Sequence, residues 1–198
     1  MFAVAGLNGD VYGLFADPAG ENMHWEYLAT VPIDPGNISL SVGSGDGNSI
    51  FAGSENGRLF AVDPRNGSAV EQILPEITDG AIYRVIVVGS DAYAIINSLR
   101  KGFGGFILRA NGNSWEILTG GLPDDRFFAL EAASGGFLFA ATDSRVYASS
   151  NGGNDWFVAS TGLPVRPHCA DLRYVQLEDG QTLLYLSTFG RSAWRLQL

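Results

Sequence analysis

Pairs of an aromatic residue and alanine recur along this chain at Phe2-Ala3, Phe51-Ala52, Tyr93-Ala94 and Phe139-Ala140, with Tyr185-Leu186 as a fifth variant. Each pair lies in a short stretch of alternating or continuous apolar positions, bounded by Gly, Asn, Asp or Pro. That pattern predicts strands joined by turns. A second strand follows each pair, at Val11-Tyr12, Leu59-Phe60, Ile107-Leu108, Val146-Tyr147 and Ala193-Trp194. In four cases a glycine turn then leads to a third strand, opened by Trp25, Val70, Trp115 or Trp156. These strands run into Val31-Pro32, Leu74-Pro75, Leu122-Pro123 and Leu163-Pro164. In four units another strand precedes the aromatic pair, over 38–42, 83–88, 127–132 and 169–177. No window keeps helical apolar spacing free of Gly or Pro, so no helix is predicted.

Lettered A to D within a unit, the strands read BCD, ABCD, ABCD, ABCD, ABC. A four-stranded unit repeating at roughly 40–50 residues is the signature of a β-propeller. The expected fold is therefore all-β, a propeller of four-stranded antiparallel blades with five units visible and the terminal ones incomplete. Residues 1–198 read as a single propeller domain. The first and last units both supply B and C, so they do not merge into one blade. The chain either keeps two incomplete blades or is the C-terminal part of a longer propeller, and the second is favoured. Unpaired edge strands invite pairing with another chain, which offers a route to a homo-oligomer.

One hairpin stands out: Ser149-Ser150-Asn151-Gly152-Gly153-Asn154-Asp155-Trp156. Its spacing, S-x-N-x-G-x-x-W, closely resembles the Asp-box of the BNR (sialidase-like) β-propeller repeat family, with Asn151 in the Asp position. That group includes sialidases, xyloglucanase-type hydrolases, sortilin-type receptors and photosystem II assembly factors. Thr119-Gly120-Gly121-Leu122-Pro123 and Thr161-Gly162-Leu163-Pro164 are similar to its outer-strand ending, and 188–195 resembles its terminal T-x-G-R-x-x-W-R blade ending. The resemblance implies a structural part for Ser149, Asn151, Gly153 and Trp156. The Asn side chain caps the turn's N–H groups, Gly supplies a positive φ, and the Trp packs between blades. Trp25 and Trp115 are expected to pack in the same way. The other units depart from the motif: 111–115 is one residue short, 17–25 is stretched, and the second unit has no Trp.

Composition narrows the partners. Apolar residues make up 46% and charged residues 17%, an ordered rather than a disordered balance. The net charge of −9, with Lys101 the single lysine, argues against a nucleic-acid partner. The longest apolar run, 81–96, is interrupted by Arg84 and Asp91, so no membrane span is predicted. One cysteine, Cys169, excludes an internal disulfide. No signal-peptide pattern is visible at Met1, which leaves a protein kept in the cell or one exported with its leader removed.

Candidate chemistry sits in the D–A and B–C loops, which converge on a propeller's axis. These hold Asp34, Glu55, Asp79, Lys101, Asp124, Asp125, Arg126, Asp143, Arg166, His168 and Arg191. Of these, Asp124, Asp125, Arg126, Arg166, His168, Lys101 and Arg191 are the candidate binding residues. Asp124-Asp125 is the carboxylate pair that glycoside hydrolysis would want, but neighbours in sequence seldom face each other across a substrate. A solvated turn after Pro123 is the plainer account. Arg84, Arg126 and Arg173 lie near the starts of A strands, where a sialidase would need a triad of arginines, yet none matches the family's early Arg motif. His168-Cys169 is not metal-ligand spacing, and Cys169 reads as a buried strand residue; His24 stands alone. Gly102-Phe103-Gly104-Gly105 leads into a strand rather than a helix, so it offers no phosphate cradle. The Trp residues could serve as sugar-stacking platforms; Trp194 alone is off the repeat. No cofactor motif is found. The function expected is a non-catalytic binding or assembly scaffold for a protein or carbohydrate ligand. The alternative is a sialidase- or xyloglucanase-like glycoside hydrolase, or a fragment of one.

Overall fold

The computed structural model describes residues 2–5, 7–17, 20–32, 40–44, 50–76, 80–99, 104–118, 120–190 and 192–198. Lys101, Arg191, Asp34, Asp79, residues 38–39 of the predicted second-unit A strand, and the Gly102-Phe103 pair lie outside these. The described residues form five antiparallel sheets with strand orders β1-β2-β3, β4-β5-β6-β7, β8-β9-β10-β11, β12-β13-β14-β15 and β16-β17-β18. Strand count and order follow the BCD, ABCD, ABC pattern. Each strand pairs with the next in sequence, as hairpin-forming turns dictate.

The chain divides into two compact units: Met1–Arg100 with Ile107–Ile117, and Lys101–Phe106 with Leu118–Leu198. In the first, β1 (Phe2–Ala5), β2 (Asp10–Ala16) and β3 (Met23–Thr30) precede the sheet of β4 (Leu40–Ser44), β5 (Ile50–Ser54), β6 (Leu59–Val62) and β7 (Ala69–Glu71). Then follow β8 (Gly80–Val88), β9 (Asp91–Ser98), β10 (Gly105–Asn111) and β11 (Ser114–Leu118). Val11 and Leu28 meet Ile50, Phe60 and Val62 in one core, and Leu59 meets Val85, Ala94, Leu108 and Trp115 in the next. Strand β9 is buried from Ala92 to Asn97, in keeping with its continuous apolar run, and Ala92, Ala94 and Ile96 belong to the Leu59 core.

The second unit holds β12 (Phe127–Ala133), β13 (Phe137–Thr142), β14 (Val146–Ser149) and β15 (Phe157–Val158), then β16 (Cys169–Gln176), β17 (Thr182–Thr188) and β18 (Ala193–Gln197). Ala129, Phe139 and Val146 pack on Leu172, Leu184 and Leu186, with Leu163 and Trp194 closing the edge.

Two of the repeat tryptophans are buried and one is not. Trp115 and Trp156 are 4% and 8% exposed. Trp115 N–H donates to the Ile73 carbonyl at 2.9 Å and Trp156 N–H to the Gly120 carbonyl at 2.8 Å, so each outer strand is seated on the segment that ends the preceding one. Trp25, by contrast, is 51% exposed. The expectation that it packs between sheets is corrected: the opposite face of its sheet, with Val11, meets the second sheet, while Trp25 pairs across from Leu14 on the outward face. Among the described residues no sheet covers that side.

Candidate functional site

Four connections of the second unit carry the candidate residues: residues 120–126 before β12, 143–145 between β13 and β14, 159–168 between β15 and β16, and 189–192 between β17 and β18. Hydrogen bonds between segments distant in sequence tie the first of these to Gly104-Gly105 and the other three to one another. Gly104 N–H donates to Asp124 Oδ1 at 3.0 Å, and Gly105 N–H to the Asp125 carbonyl at 2.8 Å. His168 N–H donates to the Asp143 carbonyl at 3.0 Å, and Phe189 N–H to the His168 carbonyl at 2.9 Å. Each tie runs between a B–C and a D–A connection, which repeats the same junction in successive sheets.

The His168 side chain adds a second tie, with Nδ1 2.8 Å from Asp143 Oδ1. His168 and Arg166 both hold a left-handed backbone, at φ 53° and 51°. Non-glycine residues in that region cost about 1–3 kcal/mol each and persist only where the surroundings enforce them. Here the enforcing contacts are the Asp143 and Phe189 bonds. The segment displays Val165, 88% exposed, and leaves Phe189 71% exposed beside it. Arg166 is exposed as well.

Asp124 and Asp125 are spent on backbone. Asp124 holds Gly104, and Asp125 Oδ1 accepts the Arg126 N–H at 2.8 Å. Arg126 is exposed. Behind them burial pushes the Tyr147 hydroxyl above its ordinary value; Arg145 pulls it down and Asp125 pushes it up again. Cys169 is buried, and that burial, with the Asp143 carboxylate second, pushes its thiol up to about 11. It is an inert core thiol rather than a nucleophile.

The remaining candidates lie apart from this set. Arg173 is surface-exposed beside Asp171 (3.5 Å) and Glu131 (3.9 Å). Glu55 and Arg84 belong to the first unit, as does His24, which contacts Glu26 at 2.7 Å. Among the described residues no group of His, Cys, Asp and Glu has the arrangement of a metal site. Among the described residues no helix is long and apolar enough to cross a membrane.

The 149–156 hairpin carries its own network. Ser149 Oγ accepts from Gly153 N–H at 2.9 Å and donates to Asn151 Oδ1 at 3.0 Å. Asn151 Oδ1 also accepts from Asp155 N–H at 3.0 Å, and Asn151 Nδ2 donates to Asp155 Oδ2 at 2.9 Å. Trp156 Nε1 donates to the Gly153 carbonyl at 2.9 Å. An amide suits position 151 because a carboxylate there would face that of Asp155. Gly153, at φ 88°, is pressed so closely on Leu118 that a Cβ would overlap it.

No family profile matches the sequence, and neither does any curated protein. Among the solved structures that it resembles are β-propellers. The WD40 β-propeller domain of Doa1 aligns over 98% of this chain and 63% of its own, at TM-score 0.61 and 12% identity. YCF48 bound to D1 peptide aligns over 99% of this chain and 62% of its own, at TM-score 0.58 and 15% identity. The computationally designed Ika4 protein aligns over 87% of this chain and 98% of its own, at TM-score 0.63 and 7% identity. The chain thus spans under two thirds of the Doa1 and YCF48 chains. At such identities the likeness is one of fold.

The sequence places His168 and Asp143 in loops that converge on one axis without indicating that they touch. Val165 and Phe189 are marked there only as apolar residues beside a turn-forming Pro164 or Gly190.

Proposed function

We propose that this chain is a non-catalytic propeller-type scaffold that binds a polypeptide segment on the loop surface of the second unit, with its five sheets as blades. The observation that carries the reading is the strained segment 165–168, bonded at His168 to Asp143 and Phe189, in which Val165 and Arg166 are exposed, as Phe189 is. An exposed aliphatic, an arginine and an aromatic on a pre-ordered backbone are what an interface anchor requires. Little ordering entropy is left to lose on binding. Asp143 and Asp124 act as positioning residues for the loops. The likeness to YCF48, whose structure is of the protein bound to a peptide, supports this class of partner.

The hydrolase alternative gains no comparable support, because Asp124 and Asp125 each serve a backbone N–H rather than facing each other across a cleft. The test is selection of binders from a displayed peptide library, followed by affinity measurement on Val165→Asp and Phe189→Ala. Selected peptides are expected to lose at least about tenfold in affinity on either variant. Peptides indifferent to both substitutions, or a chain that enriches no peptide and binds only on a glycan array, would overturn the reading.

A further inference from the structure

The last sheet has a pocket beside its open edge, and its lining repeats a seat that is filled elsewhere in the chain. In the third sheet Trp115 of β11 packs among Leu59, Leu74, Val85, Ala94 and Leu108. The repeat places Val146 in the position of Leu59, Leu163 in that of Leu74 and Trp194 in that of Leu108. Registers fix the other two: Val85 faces Ala94 across its pair, as Leu172 faces Leu186. Val146, Leu163, Leu172, Leu186 and Trp194 line one cavity of about 150 Å³ in the second unit, with Thr161 and Gly162 at its rim.

The backbone repeats as well. Each seated tryptophan donates its own N–H to the segment that ends the preceding outer strand, Ile73 for Trp115 and Gly120 for Trp156. The corresponding segment for the last sheet is Thr161-Gly162. At Gly120 a Cβ would overlap the Asn154 carbonyl, at the turn that opens β15, whereas a Cβ on Gly162 meets nothing within 4 Å. Along β18, Leu198 N–H bonds to the Thr182 carbonyl at 3.0 Å, so by antiparallel alternation Trp194 and Leu196 turn their backbone groups to β17. Ala193, Arg195 and Gln197 turn theirs outward. Among the described residues no strand pairs with that edge.

We propose that the β18 edge and its pocket form a strand-addition site for an extended segment of a partner protein that carries a large aromatic side chain. The segment adds antiparallel to β18 and exchanges hydrogen bonds with Ala193, Arg195 and Gln197. Its aromatic ring enters between Leu163 and Trp194, and the N–H of that aromatic residue meets the Thr161-Gly162 backbone. Main-chain bonds supply affinity and the pocket supplies selectivity, as in other strand-addition complexes. A second copy is the poorer donor. Its segments of this pattern at Trp115 and Trp156 are buried in their own sheets, and the third, at Trp25, is exposed but lies in β3, which is already paired with β2; each would have to leave its sheet. The site does not depend on the loop surface assigned above.

The test is fluorescence polarisation with a labelled, capped peptide of sequence 113–118, which reproduces the Trp115 strand. The peptide is expected to bind the chain saturably. Its Trp115→Ala version is expected to bind at least about tenfold more weakly, and so is the original peptide on a Leu196→Glu chain. Leu196 is 41% exposed, which lets that variant fold; Phe137→Glu, at a 46% exposed position on another sheet, should leave binding unchanged. Amide exchange at Ala193, Arg195 and Gln197 should slow on peptide addition. Equal affinity for the Trp and Ala peptides, or no binding by a chain whose circular dichroism shows it folded, would overturn the proposal. So would a self-associated chain that the peptide fails to dissociate, since a second copy would then hold the edge.

Discussion

Replacing each buried tryptophan by phenylalanine separates two contributions that the same residue type makes in two places. Both indoles are nearly inaccessible, and truncation of either to Ala should cost about 3–5 kcal/mol. Removing only the pyrrole edge loses a smaller share of packing, about 1–2 kcal/mol. Their N–H groups differ. Trp156 Nε1 donates to the Gly153 carbonyl, so Trp156→Phe also loses a bond worth about 1 kcal/mol and leaves that carbonyl without its partner. Trp115 Nε1 is buried and has no acceptor among the described residues. A buried unpaired donor costs about 1–3 kcal/mol, so Trp115→Phe removes a penalty that offsets its packing loss. The edge-to-face contact with Phe51, at 5.4 Å and 88°, can be kept by a phenyl ring. The predicted outcome is a nearly neutral Trp115→Phe and a Trp156→Phe costing about 2–4 kcal/mol. Because the two residues lie in different compact units, amide exchange in strands of the same unit is the suitable assay: Ile95 and Ile96 report for Trp115, Leu138 and Ala140 for Trp156. A Trp115→Phe cost equal to or above that of Trp156→Phe would refute this reasoning.

Asn151→Ala should lower the stability of the second unit by about 1 kcal/mol in urea unfolding, without altering peptide affinity. Asn151→Asp removes the Nδ2 donor and sets a second carboxylate against Asp155, so its melting temperature at pH 7 should fall below that of the wild type. The Cys169 thiol, pushed up from an ordinary 9.0 to about 11, contributes stability that is present below pH 9 and lost as pH rises towards 11. Cys169→Ala should flatten that alkaline loss, and thiol reagents at pH 8 should label Cys169 only on unfolding. Arg58 holds Glu71 through two bonds of 2.8 Å, and that contact lowers the Glu71 carboxyl below its usual range against a small opposing effect of burial. Glu71→Gln should cost about 0.5 kcal/mol at pH 7, and the difference should vanish as acid protonates Glu71 in the wild type.

The strands were legible because each is announced locally. Phe139-Ala140 sits between Gly136 and the 142–145 turn, in a run of apolar residues that is buried from Leu138 to Ala141. The hairpin at 149–156 was legible for the same reason, since Ser149, Asn151, Gly153 and Trp156 bond within a span of eight residues. The exposure of Trp25 was not, because its pattern matches that of Trp115 and only the presence of a facing sheet distinguishes them. The Asp143–His168 contact joins residues 25 apart, and nothing local marks it. Charged loop residues attracted the site assignment, whereas Asp124 and Asp143 turned out to order the loops. The apolar Val165 and Phe189 looked like ordinary turn residues. The pocket beside β18 is lined by Val146, Leu163, Leu172, Leu186 and Trp194, which come from separate strands and loops, so nothing local marks it.

The central claim, a pre-ordered loop surface that takes a polypeptide, is tested most directly by a hydrogen-exchange map of the chain with and without a library-selected peptide. The account predicts slowed exchange at residues 165–168 and 189 together with 143–145, while β9 and β13 stay unchanged. Protection confined to β3, or spread evenly over the chain, would contradict it.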